Sequence, residues 1–212
     1  MRRRVGDKER ETDMVKTGLM AAAAAAVCSM AGAEVIVFSQ FDVWSSFVSA
    51  MGETVATETF SGYNGFYPGD VTGTVGGIGW TASASGGIFV EGGLFSTNTS
   101  DEEILFELAS GVNGIGGNFF GTDVNFNVVP SVVEVFLGDG TTYIAFVDSA
   151  SAFVGFYSTD VAITRISTLS LIPGSTTPIW ATVDNLYVAV PAPGALALLA
   201  TAGVLARRRR RD

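Results

Sequence analysis

Chemistry in this 212-residue chain rests almost wholly on carboxylates, for it has no histidine and its one cysteine, Cys28, lies in an apolar stretch near the N-terminus. Ser-His-Asp and Cys-His nucleophiles therefore lack a base or a thiolate, and zinc sites built from His or Cys lack ligands. Paired Asp or Glu side chains, as in glycoside hydrolysis, are the one common catalytic option left, and they must stand ~5 to 10 Å apart. Residues 34–190 hold sixteen acids. Chance brings some pair to that distance in so small a domain, so the expectation is a protein without catalytic residues.

The same segment contains a single base, Arg165, and so carries a formal charge of −15. The whole-chain value is −9, because eleven of the twelve Lys and Arg residues lie outside it. Such an imbalance argues against nucleic-acid binding and against adsorption to anionic lipid, both of which need cations. It suits a self-repelling secreted domain, and clustered carboxylates could recruit calcium, which takes oxygen ligands. With no cysteine between 34 and 190, no disulfide framework stabilises this part.

The two ends read as address labels. Lys16 precedes the apolar run 19–27, and Ala31-Gly32-Ala33 puts small residues, Ala31 and Ala33, where a signal peptidase reads. Residues 14–33 are thus expected to be a signal peptide, with 1–13 a charged extension and Met14 an alternative start. Cys28 follows Ala25-Ala26-Val27, which lacks the pattern of a lipobox. At the other end Val190-Pro191-Ala192-Pro193-Gly194 leads into an apolar run, 195–206, and then Arg207, Arg208, Arg209, Arg210 and Arg211.

That tripartite tail resembles the PEP-CTERM sorting domain of exosortase substrates. Members of that family carry Val-Pro-Glu-Pro or a variant, a transmembrane-like stretch and a terminal basic cluster. The resemblance implies export, membrane contact through the tail, and cleavage near the Pro motif by an exosortase-type membrane peptidase, with a cell-surface or extracellular destination. This chain departs at Ala192, where the family has Glu. The other reading is an uncleaved anchor whose arginines stay in the cytoplasm. Against it, 194–206 is shorter than the ~20 residues of a spanning helix.

Between the labels, 34–189 is the size of one domain, and its patterning is strand-like. Alternating apolar and small polar residues with frequent Gly and Asn predict strands at 35–38, 55–60, 78–84, 87–90, 104–108, 114–120, 132–137, 141–146, 153–158, 163–171 and 181–190. Asp139-Gly140 between two such runs predicts a tight hairpin. Trp44, Phe47, Val48 and Met51 fall at i, i+3, i+4 and i+7, predicting a short helix over 43–51, capped by Asp42 and ended by Gly52. Trp44 is expected to be core, with the helix lying over one end or edge of the sandwich. The fold expected is all-β: a single antiparallel β-sandwich, jelly-roll-like, with one short helix near its N-terminus.

Two segments are similar to jelly-roll carbohydrate-binding modules that hold a structural calcium with an early acid near Phe and an Asp in the last strand. Here these are Glu58-Thr59-Phe60 and Val183-Asp184-Asn185-Leu186, which makes Glu58 and Asp184 the candidate calcium ligands; two solvated carboxylates are the alternative. Tyr63, Phe66, Tyr67, Trp80 and Trp180 are the candidates for stacking on sugar, with Tyr63 to Pro68 the expected exposed loop. The middle region also looks like the β-rich passenger of PEP-CTERM proteins, which implies the sandwich but no activity. Three functions are therefore carried forward: a noncatalytic surface or matrix component, a carbohydrate-binding module contacting exopolysaccharide, and a carboxylate hydrolase.

Overall fold

A computed structural model describes residues 35–192. Ala31, Ala33, Pro193, Gly194 and Arg207 to Arg211 lie outside the described residues. Fourteen strands and one helix follow in chain order. They are β1 (Val35–Phe38), α1 (Phe41–Ala50), β2 (Glu53–Glu58), β3 (Gly65–Tyr67), β4 (Val71–Val75), β5 (Ile78–Ser83), β6 (Ile88–Glu91) and β7 (Leu94–Thr97). The second half adds β8 (Ile104–Val112), β9 (Gly114–Thr122), β10 (Ser131–Leu137), β11 (Thr142–Val147), β12 (Phe153–Ser158), β13 (Ile163–Leu171) and β14 (Trp180–Pro191). Among the described residues, no helix is long and apolar enough to cross a membrane.

The strands form two antiparallel sheets packed as an all-β sandwich, as the alternating pattern predicts. One runs β1-β12-β9-β14-β7-β6-β3, with β2 also paired to β14, and the other runs β11-β10-β13-β8-β5-β4. Three strands escape the sequence pattern, β3, β4 and β7, each of five residues or fewer. Length alone does not explain this, since β1 and β6, of four residues each, follow the pattern; Gly65 and Gly73 dilute it in β3 and β4. The loop expected at Tyr63 to Pro68 is thus partly strand, because Gly65–Tyr67 pairs with β6. The β10–β11 hairpin also closes differently from a two-residue turn. Leu137 N–H reaches Thr141 O at 2.9 Å and only Gly140 takes a positive φ, +92°, which is the longer turn-plus-bulge connection.

Between the sheets lies one continuous apolar core. Phe60, Phe95, Phe106, Phe120, Phe156 and Trp80 are its largest members, joined by branched side chains from both sheets. Alternation along β12 shows how strands divide their residues: Val154 and Phe156 face this core, whereas Phe153 and Tyr157 belong to a second cluster on the outer face.

The helix builds that second cluster. It starts earlier than periodicity predicts, at Phe41, and its N-cap is Gln40 without a side-chain hydrogen bond, so Asp42 sits in the first turn instead of capping it. There its charge still favours the N-terminal end of the helix dipole. Gly52 follows the helix at φ +82°, as its expected role as terminator requires. The helix packs against β2, β12 and β1. It lies on the outer face of the larger sheet, where Trp44 and Val48 pack with Phe153, Tyr157 and Ala189.

Trp44 is fully buried, and its indole N–H donates to Phe156 O at 3.1 Å. Room for the indole comes from a glycine row, since Gly155 on β12 pairs with Gly116 on β9, which in turn pairs with Tyr187 on β14. A Cβ at Gly155 would lie 2.8 Å from the Trp44 ring. Any larger residue there would lift the helix off the sheet. Polar groups at the margin are satisfied in turn. Tyr157 OH donates to Glu53 at 2.9 Å while Asn113 donates to the other oxygen at 3.0 Å. Burial first, and then the Glu53 carboxylate, push the Tyr157 phenol up to about 12. Asn118 accepts from Asn185 and Tyr187, each at 3.1 Å.

The helix is therefore part of the core. Trp44→Ala removes the largest side chain of the outer cluster together with its hydrogen bond, and should cost about 3 to 5 kcal/mol. Urea unfolding of the two forms measures this; a loss below about 1 kcal/mol would mean that the helix is only loosely attached.

Candidate functional site

Glu58 and Asp184, the candidate calcium ligands, lie on neighbouring strands. Glu58 pairs across the sheet with Leu186 and accepts the Phe60 amide at 2.8 Å, whereas Asp184 falls in the irregularity between Val183 and Leu186. Their electrostatic neighbours differ. Tyr63 is raised by burial and then by Glu58, while Tyr187 is raised by burial and then by Asp184. Asp184 is itself raised by burial and held back by a hydrogen bond from Asn185, with no contribution from Glu58. Among the described residues, no group of three or more acidic side chains could hold a metal ion.

The sugar-stacking candidates also separate. Trp80 is 2% exposed, with Phe60, Tyr63, Phe95 and Phe106 around its ring, so no face is left for a ligand. Sequence alone cannot tell this indole from an exposed one, because burial here follows from the opposite sheet. Tyr63 rests half-buried on Trp80 and donates to Thr72 O at 2.9 Å, and Tyr67 OH accepts the Asn64 amide. Both tyrosines rim the core. Phe66, 50% exposed, points away from it.

Trp180 alone lies in an open groove. The groove has a volume of about 310 Å³ and is walled by Phe89, Glu91, Asn98, Asp123, Val124, Phe126 and Trp180, with Ser96 in its floor. It occupies the outer face of the larger sheet beyond the part that α1 covers. Alternation places it there: Ile88 and Val90 on β6 and Phe95 on β7 face the core, leaving Phe89 and Ser96, which pair across the strands, to face outward.

Ser96 and Thr97 reach the floor, and behind Ser96 a chain of hydroxyls runs in a fixed direction. Ser96 donates to Ala181 O at 3.2 Å and Thr182 donates to Ser96 at 2.9 Å, so Thr122, 2.8 Å from Thr182, must be the donor to it. Ser96, Thr122 and Thr182 are nearly or fully buried, which makes this floor rigid.

One wall is a loop locked by a single carboxylate. Asp123 accepts the amides of Asn125 and Asn127 at 2.8 and 2.9 Å with one oxygen, and the Asn127 side chain at 2.9 Å with the other. These bonds, the Asn127 side chain foremost, hold Asp123 below the usual carboxylate range. The loop sets Phe126 at φ +61°, an unusual conformation for a bulky residue, and brings its ring to 5.9 Å from Phe89. Across the groove, Trp180 is fixed through its indole N–H, which donates to Asn98 O at 3.3 Å.

The result is two aromatic surfaces around a polar floor with two carboxylates at the rim. That combination suits a ligand with flat apolar faces and many hydroxyls, held by stacking and by acceptor groups. Phe89, Phe126 and Asp123 escaped the sequence reading. The available signal was Asp123-Val124-Asn125-Phe126-Asn127, whose alternating Asp and Asn mark a turn that bonds to its own backbone.

No protein-family model matches the chain, and neither a curated protein nor a solved structure is similar to it.

The loop makes a direct prediction. Asp123→Ala should strip the hydrogen-exchange protection of the Asn125 and Asn127 amides and leave the core amides unchanged. Because the folded-state carboxyl is depressed, its contribution is present above the ordinary value of 3.8 and is lost as pH falls through the folded value. Protection of the same two amides in the native chain should therefore weaken only below that pH, and unchanged protection in the variant would show that the loop is held by something else.

Proposed function

We propose that this chain is an exported, noncatalytic surface or matrix protein whose sandwich binds neutral glycan in the groove between Trp180 and the Phe89–Phe126 pair. The observation that carries the reading is the groove itself: aromatic faces set by Asp123 and Asn98 over a hydroxyl floor. Ligand pockets combine apolar walls with a few placed polar groups in this way, and about 310 Å³ sits at the small end of their ~300 to 1,000 Å³ range. Glu91 and Asp123 give the groove negative charge, which disfavours uronic or sulfated sugars.

Catalysis is disfavoured by the same geometry. A hydrolase needs one carboxyl that holds its proton near neutral pH. Asp123 is depressed instead. Export rests on the signal-peptide pattern ending at Ala33 and on the tail's resemblance to a PEP-CTERM signal, with Pro191 to Gly194 and the five terminal arginines as its parts. A domain of charge −15 without cysteine is compatible with that destination.

Affinity electrophoresis of the purified chain through a panel of neutral and acidic polysaccharides tests the ligand. Retardation is expected in a neutral gel only, reduced ~tenfold or more, about 1.4 kcal/mol, by Trp180→Ala or Phe126→Ala and unaffected by Tyr63→Phe. Absence of retardation on every polysaccharide would exclude the reading. Mass spectrometry of the protein recovered from the producing cells tests the address. A product lacking Arg207 to Arg211 is expected, and an intact C-terminus on the surface form would rule out cleavage.

A further inference from the structure

Among the described residues, the smaller sheet ends in a strand whose outer edge is unpaired. Strand β11 pairs with β10 on one side only, so its outer row of amides and carbonyls is open. Natural edge strands are usually blunted by charge, proline, a bulge or shortness. The ends of the larger sheet follow that rule: β3 is three residues long with Pro68 just after it, and β1 is four residues long and leads into α1 after two more. Strand β11 does not. Its six residues, Thr142, Tyr143, Ile144, Ala145, Phe146 and Val147, include no charge, proline or glycine.

Its outward side chains are also unusually apolar. Ile144 is 59% exposed and Phe146 69%, on a domain that is otherwise strongly acidic. Phe146 stands beside Val132 and Leu171, and Ile144 beside Glu134 and Leu169. Tyr143 and Ala145, the alternate residues, pack inward against the core.

We propose that β11 is a self-association edge, along which two copies of this chain pair antiparallel about a two-fold axis at Ala145 and join their six-stranded sheets into one of twelve. Register argues for this occupant. Outward residues must meet outward residues, so the sum of paired residue numbers must be even. With the axis at Ala145, Ile144 lies opposite Phe146 of the second copy, twice by symmetry, and Tyr143 lies opposite Val147. An axis at Ile144 would instead set Phe146 against Thr142 and leave a single apolar pair, Ile144 against Ile144, in place of two.

Charge favours the same register. A domain of −15 repels its own copies, so association is least costly where carboxylates are absent. Asp139 and Asp148 flank the strand; about Ala145 they face Ser151 and Thr142 of the second copy, and no acid faces an acid. Glu134 lies one strand further in. The surface is self-complementary, as a two-fold interface requires, and each strand supplies the hydrogen-bond partners that the other lacks. The groove, on the outer face of the other sheet, is not involved.

Sedimentation velocity on the full chain tests the interface. A concentration-dependent dimer is expected, with Ile144→Lys raising its dissociation constant ~tenfold or more at unchanged thermal midpoint. Register is read from disulfide formation in a Cys28→Ser background. Facing Cα atoms of an antiparallel pair stand ~4.5 to 5.5 Å apart, within disulfide reach, so Ala145→Cys should cross-link readily and Ile144→Cys slowly. A monomer at all concentrations up to ~100 μM, where even a contact of only ~5.5 kcal/mol would be half associated, overturns the proposal. So does a dimer indifferent to Ile144→Lys, or faster cross-linking at 144 than at 145.

Discussion

Strand β14 has to satisfy backbone donors and acceptors along both edges for twelve residues, and the arrangement of the larger sheet follows from how it does so. On one edge it pairs with β9 from Trp180 to Val183 and again from Leu186 to Val188. On the other it pairs with β7 through Thr182 and Val183 and with β2 from Leu186 to Pro191. The change of partner coincides with the irregularity at Asp184 and Asn185. An extra residue in one strand bends it and increases its twist, so the two halves of the outer face are free to differ. The half backed by β2 carries α1 on a floor of glycine and aromatic rings. The half backed by β7 stays open, and the groove lies there.

Electrostatics reinforce that division. With one Arg among the described residues, the acids cannot be neutralised by ion pairs. The structure gives them N–H and O–H donors instead. Glu53 takes Asn113 and Tyr157, Glu58 the Phe60 amide, Glu102 the Ser85 hydroxyl and Gly86 amide, Asp123 the Asn125 and Asn127 groups, and Asp139 the Thr141 amide. Charge-assisted bonds of this kind are stronger than neutral ones and fix local backbone. Acids thereby serve as turn-setting residues, with Asp123 the clearest case. Repulsion among the many others is tolerated because they are spread over the surface of a solid apolar core.

The two outer faces have correspondingly different characters. The larger sheet is half roofed by a helix and half hollowed into a groove with a polar floor. The smaller sheet exposes Ile144 and Phe146 at a bare edge, without carboxylates in the strand itself. Glycan contact on one face and self-association at the edge of the other can therefore operate together. A surface protein with both would present two grooves to one polymer chain, and linked sites bind more tightly than single ones.

What could be read without the structure was local or additive. Composition excludes imidazole chemistry, the excess of acids argues against polyanion partners, and alternation located most of the strands, because each depends on neighbours in sequence. Trp44 was legible as core because its helical spacing with Phe47 and Val48 is itself local. The helix's seat was not, since it depends on glycines at 116 and 155 meeting side by side through strand pairing. Trp80 and Trp180 look alike as sequence, yet one is enclosed by four rings brought together by the fold while the other borders a groove. Phe89 and Phe126, 37 residues apart, meet only because the loop held by Asp123 folds back over β6. Sequence determined which chemistries this protein lacks and where its strands run; tertiary structure alone decided which residues share a surface, because pairing across the sheets sets that, not distance along the chain.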